Sequence, residues 1–295
     1  MKLSVIIPTF HRNDVLRQCL ACLTPDVQSL ARHYYEVIVT DDGRHQTAKE
    51  LIEEEYPWVR WVKGPQKGPA ANRNSGAGFA SGEWLIFTDD DCLPNKDWLL
   101  VYYQAILENP AVQVFEGRST AGTPRKAFSE LAPINEKGGF LPSCNFGIRR
   151  EVFQQMRGFD QEYSFSFEDM DLHYRLKKQG FEIPFLKEAL IVHPWRITTG
   201  QNSVRFFANQ QQGIMTFIGK HPEVLESFNS KHFLAIFTKK LSRDFFPGLI
   251  RYRGRGTTHA FRELFFNIKM GFILFPSTLS RFLQKRGHAA LTSSG

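Results

Sequence analysis

The chain has 295 residues, 42% of them hydrophobic and 23% charged, and a formal net charge of +7. These fractions exclude a disordered or fibrous chain and fit a globular protein with one large core, with or without an appendage. Residues 231–286 hold twelve Lys and Arg against two acids, a net +10, so the remainder is near −3 and the basic character belongs to the tail.

In chain order, short runs rich in Val and Ile alternate with helix-type spacing, which predicts an α/β protein with an at least partly parallel sheet. Strands are expected at "LSVIIP", "EVIVTDD", "VRWVKG", "EWLIFTD" and "VQVFEG". Between them "NDVLRQCLACL", "QTAKELIEEEY", "AANRNSGAGFA" and "KDWLLVYYQAILE" read as helices, the first capped by Asn13 or Asp14. Beyond residue 118 the alternation loosens into a Gly- and Pro-rich stretch. It resumes with helices at "REVFQQM" and "EDMDLHYRLKKQG", two short strands at "FEIPFL" and "ALIVHPW", and a helix near 202–219. The expected organisation is a catalytic domain over 1–225, in halves 1–118 and 119–225, followed by a basic amphipathic helical region over 226–295.

Cys19 and Cys22 form a C-x-x-C inside a helical pattern, with no second pair to complete a metal site. That predicts reduced structural thiols in a cytosolic compartment. The N-terminal apolar run stops at Pro8, too soon for a signal-peptide core. The "MGFILFP" run, bounded by Lys269 and Pro276, is far short of the ~20 residues a spanning helix needs. The expected location is therefore cytoplasmic, with peripheral attachment to the inner face of the plasma membrane as the further expectation.

Ligands of open α/β sheets sit outside the carboxyl ends of the strands, and the polar residues of this chain concentrate there. "SVIIP" runs into Thr9, Phe10, His11 and Arg12, "EVIVT" into Asp41 and Asp42, and "WLIFT" into Asp89, Asp90 and Asp91. Adjacent ionised carboxylates at about 5 Å cost on the order of 3 kcal/mol per pair at an effective dielectric near 20, so a counter-charge is expected. A divalent cation shared with substrate phosphates supplies it economically. In an extended chain Asp89 and Asp91 would share a face and Asp90 would point away. "DDDCLPNKD" lacks the Gly and distal Glu of an EF-hand loop, "GAGFASG" lacks the third glycine of a dinucleotide fingerprint, and no G-K-[ST] is present. A second acidic group, Glu168, Asp169 and Asp171, falls in a first helical turn, where the helix dipole alone favours acids. Phe165, Phe167 and Tyr174 flank it, so a partly dry carboxylate with a raised pKa is the functional alternative. His193 ends "ALIVH" and matters if the fold carries it to the triplet.

Taken together, "SVIIPTF", "VIVTDDG", "AANRNSGAGFASGEWLIFTDDD" and "GFDQEYSFSFEDMDLHYRLKKQG" resemble the inverting glycosyltransferases of family 2 over roughly residues 3–200. The resemblance implies an A-type glycosyltransferase fold, a Rossmann-like mixed sheet flanked by helices. It implies transfer of a sugar from a nucleotide-diphosphate sugar to an acceptor hydroxyl, in envelope polysaccharide or glycolipid synthesis. By the same carry-over Pro8, Thr9, Phe10 and Arg12 lie along the nucleotide, Asp42 accepts from the base edge, and Arg73 faces the nucleotide or diphosphate. Asp89 and Asp90 contact the ribose side, and Asp91 with His193 holds Mn²⁺ or Mg²⁺. Asp169 is the catalytic base, with Glu168 and Trp195 on the acceptor side. His11 and Arg12 stand where the family often has an Asn and an acid, and Arg44 and His45 follow "DDG", departures that bear on base and sugar preference.

The tail pairs aromatics with cations, as in "FLAIFTKKLSRDFFPGLIRYRGRG". It reads as an anionic membrane surface over residues 230–290, consistent with a lipid-linked or sugar acceptor. A helical subdomain with a solvated basic face, an oligomer contact and a nucleic-acid surface compete with that reading, and no nucleic-acid partner is expected. For the whole chain, the rivals to a glycosyltransferase are a nucleotidyltransferase-like enzyme and a non-catalytic membrane-surface module.

Overall fold

The computed structural model describes residues 1–226, 238–271, 273 and 274. The tail sequences 227–237 and 275–295, including much of the aromatic and basic pattern, lie outside the described residues. Two compact units divide the chain: Met1–Pro124 with Ala132–Trp195, and Arg125–Leu131 with Arg196–Gly295. The division falls at Trp195, earlier than the residue 225 expected from sequence.

The first unit is built on an eight-stranded mixed sheet. Its strands are β1 (Leu3–Thr9), β2 (Tyr35–Asp41), β3 (Arg60–Lys63), β4 (Trp84–Thr88), β5 (Leu93–Pro94), β6 (Val114–Thr120), β8 (Asn145–Arg149) and β9 (Phe185–Val192), in the order β3-β2-β1-β4-β8-β6-β9-β5. β1 pairs in parallel with both β2 and β4, while β8 runs antiparallel between β4 and β6. Helices α1 (Asn13–Cys22), α2 (Lys49–Glu55), α3 (Pro69–Gly78), α4 (Trp98–Glu108), α5 (Arg150–Gln155) and α6 (Glu168–Lys178) cover the two faces.

Each apolar strand serves both layers because side chains alternate across a sheet. Leu3, Val5 and Ile7 of β1 join Leu16 and Leu20 of α1 and Trp98 and Tyr102 of α4 in one core. On the other face Ile6 joins Leu85 and Phe87 of β4, Ala70 and Ala77 of α3, and Leu172 and Leu176 of α6. Burial on both faces explains why β1 and β4 read as unbroken apolar runs. α3 lies directly on the sheet because residue 76 is glycine: a Cβ there would be 2.5 Å from Thr40 Oγ1 and 2.7 Å from Ile6 Cγ2.

Three local expectations are corrected. α1 begins at Asn13 with Arg12 as its N-cap and no side-chain cap, and the Asn13 amide instead donates to Thr47 O at 3.0 Å. "FEIPFL" and "ALIVH" contribute to one strand, β9, whose pairing with β6 skips from Leu186 to Leu190 across a bulge. β8 lies within the Gly- and Pro-rich stretch where no strand is expected, since Asn145 and Gly147 depress strand propensity, yet tertiary pairing on both sides makes it central.

In the second unit, β7 (Glu130–Leu131) pairs antiparallel with β10 (Arg196–Ile197). α7 (Gly200–Lys220), α8 (Phe246–Arg251) and a helix over 257–271 follow. A small core of Phe128, Tyr252 and Ala260, and a 2.9 Å hydrogen bond between buried Ser203 and His259, tie this unit together.

Candidate active site

The chain leaves β1 toward β2 on one side and returns past it to β4 on the other, so the carboxyl ends of β1 and β4 flank a topological switch point. Thr9 Oγ1 donates to Asp90 Oδ2 at 2.7 Å, and Arg12 Nε donates to the same oxygen at 3.1 Å. Arg12 Nη2 reaches Asp90 Oδ1, and its Nη1 reaches Asp91 Oδ2 at 3.1 Å. One guanidinium thereby bridges two members of the triplet. Asp90 is fully buried, and burial raises its pKa to about 6 against the opposing pull of Arg12 and Thr9.

The triplet is not extended. Cys92 N donates to Asp89 O at 3.1 Å, closing a turn that leaves Asp90 and Asp91 sharing Arg12 and sends Asp89 to Arg73. Asp89 Oδ1 takes Arg73 Nη2 at 2.6 Å, Asp90 takes Thr9 and Arg12, and Asp91 Oδ1 lies 3.3 Å from His193 Nε2. His193 arrives there because β5, just after the triplet, pairs with the end of β9 through Leu93 opposite Val192. Its other nitrogen lies 3.0 Å from Pro194 O. Trp195, two residues on, donates to Thr123 O at 2.8 Å.

Asp91, Cys92 and His193 offer ligand atoms that all lie within 4.8 Å of one another. The oxygen and nitrogen donors of Asp91 and His193 suit a hard or borderline divalent ion, so the residues fit the metal that the resemblance implies. Cys92 is fully buried, so its thiol lies within the core.

Arg73, on α3, is buried and holds two acids. Its Nη1 donates to Glu168 Oε1 at 3.0 Å while Nη2 holds Asp89, and the guanidinium lies 5.7 Å from the Phe159 ring centroid. Burial would lower its pKa, but Asp89 and Glu168 outweigh that and raise it, so Arg73 stays charged. Glu168 is pushed up to about 7, by burial first and by Asp169 second. Both acids lie in the first turn of α6, which Phe167 introduces from the left-handed region at φ 77°.

Asp169 is half-buried, and its pKa is raised, chiefly by burial. Ser143 N donates to its Oδ2 at 3.2 Å and Met170 N to its Oδ1 at 2.8 Å. Each oxygen therefore keeps acceptor capacity. Asp171 belongs to the structure of the helix, with Arg175 at 2.6 Å and the Tyr163 hydroxyl at 3.3 Å. Phe165 is exposed, so that flank does not supply a dry side to this group.

The end of β2 holds its loops from within. Asp41 accepts from Gly43 N and Ala48 N at 2.7 and 2.6 Å, and Asp42 from Gln66 N and Gly68 N at 2.8 and 3.3 Å. Burial raises the Asp42 pKa. A Cβ at Gly64 would be 2.2 Å from Asp42 Oδ1, so only glycine passes beside it. Pro8 is buried in β1, while Phe10 is exposed beside His11, with ring centroids 4.3 Å apart.

Several positioning groups carried no motif. Asn72 bridges Thr9 O and Thr40 O at 3.3 and 2.9 Å, tying the ends of β1 and β2. Asn145 accepts from Trp98 Nε1 and Tyr102 OH, each at 2.9 Å, and donates to Arg118 O and Ala189 O, each at 2.8 Å. Asn72 sits inside the quoted "AANRNSG", and polar residues within otherwise apolar strands, such as Glu116 and Asn145, are the signal that could have found the rest.

The profile of Glycosyl transferase family 2 matches residues 4–157. Glycosyltransferase AglE of Haloferax volcanii is 25% identical over 207 residues, covering 65% of this chain and 67% of its own. The fold is similar to S. aureus TarS 1-349 in complex with UDP, at TM-score 0.53 and 20% identity over 74% of this chain and 66% of that one. It is also similar to the mannosyltransferase PcManGT from Pyrobaculum calidifontis in complex with GDP-Man and Mn2+, at TM-score 0.59 and 16% identity over all of this chain and 79% of that one. The chain thus spans about two thirds of AglE and of that TarS chain.

Proposed function

The chain belongs to glycosyl transferase family 2, and on that premise we propose that it is an inverting, metal-dependent glycosyltransferase acting on a nucleotide-diphosphate sugar. The observation that carries the reading is convergence. The triplet after β4, the "FEDMD" turn of α6 and His193 after β9, far apart in sequence, are joined by Arg73 and by the Asp91–His193 contact. The similar folds solved with UDP and with GDP-Man and Mn2+ support a sugar-nucleotide donor.

The donor lies along the ends of β1, β2 and β4, within residues 1–118, with Pro8, Thr9 and Phe10 beside the nucleotide, Asp42 toward its base and Asp89 on the ribose side. Asp90, fully buried, supports this wall by holding Thr9 and Arg12. Arg12 presents positive charge toward the diphosphate. The segment after residue 118 serves the acceptor, with Glu168 and Trp195 near it. Asp169 takes the proton of the acceptor hydroxyl as that oxygen forms its bond to the anomeric carbon. The bond from that carbon to the diphosphate breaks on the opposite side, so configuration inverts without an enzyme-bound sugar. Burial makes Asp169 a better base than a free aspartate, and the Ser143 and Met170 amides keep it oriented. Asp91 and His193 would hold Mn²⁺ or Mg²⁺, which when bound neutralises the departing diphosphate.

No helix among the described residues is long and apolar enough to cross a membrane. The acceptor is proposed to be sugar or lipid-linked, met at the cytoplasmic face of the plasma membrane. Phe246, Ile250, Phe261 and Phe265 are exposed in the second unit, where residues 238–271 hold eight Lys and Arg against two acids. That pairing suits an anionic lipid surface.

The test is Asp169→Asn. Transfer should fall by about 10²–10⁴-fold with nucleotide affinity kept, as expected for loss of a general base. Transfer persisting near the wild-type rate would overturn the assignment.

A further inference from the structure

We propose that Glu116 is a positioning residue for the proton acceptor, acting through the loop 138–143 that delivers the Ser143 amide to Asp169. The inference deepens the reading above and rests on Asp169 being the base.

Glu116 lies in β6 and is 1% exposed. A carboxylate in such a place is tolerated only when its oxygens are fully satisfied. Oε1 accepts from Asn135 Nδ2, Phe140 N and Leu141 N at 2.7, 2.9 and 2.7 Å, and Oε2 accepts from Gly139 N at 2.7 Å. Three successive backbone N–H groups thus turn inward onto one side chain. That geometry requires left-handed residues, and Gly138, Gly139 and Leu141 have φ of 78°, 96° and 48°. Leu141 is not a glycine, so its conformation is held by its surroundings rather than preferred.

Beyond the cradle the chain passes Pro142 to Ser143, whose N–H donates to Asp169 Oδ2 at 3.2 Å. It then enters β8, where Asn145 is fixed by four side-chain hydrogen bonds. The segment is clamped at both ends, by Glu116 before Ser143 and by Asn145 after it. Glu116 touches no reacting group in this scheme. A buried carboxylate with four donors far exceeds what closing a surface loop needs. What the loop delivers is one amide, aimed at the residue that must accept a proton.

The groups that face Asp169 electrostatically are Arg73 on α3, Asp89 after β4, Cys144 just before β8, and Glu168 and His173 on α6. The Ser143 amide and Arg73 stabilise its charged form, and Asp89 opposes them. Freeing the loop removes one stabilising partner, so Asp169 becomes harder to ionise.

The experiment compares Glu116→Gln and Asn135→Ala with wild type, measuring kcat, KM for the donor, nucleotide affinity and the pH dependence of kcat/KM. Gln keeps the shape of Glu116 but turns an NH2 toward the Gly139 amide, while Asn135→Ala removes one donor of the four. The expected result is a kcat lower by about tenfold for Glu116→Gln and less for Asn135→Ala, with nucleotide affinity unchanged and the acid limb moved upward by roughly half a unit. If the variants fold and kcat and the acid limb match wild type, the proposal fails. It fails equally if kcat and nucleotide affinity fall together, as general damage would cause. Should Glu116→Gln not fold, Asn135→Ala decides alone by the same criteria. Asp169→Asn, run alongside, separates the two claims: if it leaves transfer intact, the base assignment has failed rather than the clamp.

Discussion

Arg73 shows how much one side chain carries at the residue scale. It is buried between Asp89 and Glu168, so removing its charge strands two carboxylates. Arg73→Met should destabilise the protein by about 3–5 kcal/mol in chemical denaturation. A loss below about 1 kcal/mol would mean that water already serves those acids. Glu36 offers a test away from the site. It accepts Ser4 Oγ at 2.6 Å and Ser81 N at 2.7 Å, with Lys2 Nζ at 3.3 Å. Burial would raise its pKa, but these partners outweigh it and bring it down to about 2. The folded pKa is depressed, so the stabilisation is present in full above the unfolded pKa near 4.5 and is lost as pH falls toward 2. Its size is about 2–3 kcal/mol. Glu36→Gln should flatten the acid decline over that window in urea titrations, and an unchanged slope would refute this role. At this scale the sequence singled out Asp91 and Asp169 within acidic clusters and His193 at a strand end, and the fold brings His193 to within 3.3 Å of Asp91. The sequence did not announce Asn145 or Glu116, because their partners, backbone groups together with Trp98, Tyr102 and Asn135 side chains, are brought near only by folding.

Elements were legible where their burial was two-sided and local. β1, β2, β4 and the helices between them follow from runs and spacing, since parallel strands covered on both faces need no partner to be recognised. β8 was hidden because its identity as a strand comes from β4 and β6 on either side, not from its own residues. β5 was hidden by its length of two residues, yet it brings His193 to Asp91. The extended-triplet expectation failed for the same reason, as a hydrogen bond from Cys92 N to Asp89 O turned the chain. The packing of α3 on β1 and β2 yields a further prediction. Gly76→Ala places a methyl within van der Waals overlap of Thr40 and Ile6, and should cost about 1–3 kcal/mol. A neutral result in thermal denaturation would mean that α3 shifts freely.

At the scale of the whole molecule, the catalytic reading and the surface reading fall on different units and can be separated. Ile250→Gln with Phe265→Gln should lower sedimentation with anionic vesicles by about tenfold or more while leaving nucleotide binding intact. Vesicle binding that survives both substitutions would remove the second unit's exposed residues from the membrane proposal. That unit was the least legible in sequence, since its aromatic and basic pattern suited a lipid surface, a packed subdomain and a nucleic acid alike.

Thermal unfolding of the full chain with UDP or GDP, with and without Mn²⁺, reaches the sugar-nucleotide reading most directly. At about a hundredfold excess over Kd a ligand adds ~2.7 kcal/mol, which for a chain of this size corresponds to a rise in Tm of roughly 4 °C. One nucleotide should produce that rise only with the metal, and Asp91→Asn should abolish it. If neither nucleotide raises Tm, with or without Mn²⁺, the donor site at the ends of β1, β2 and β4 is contradicted.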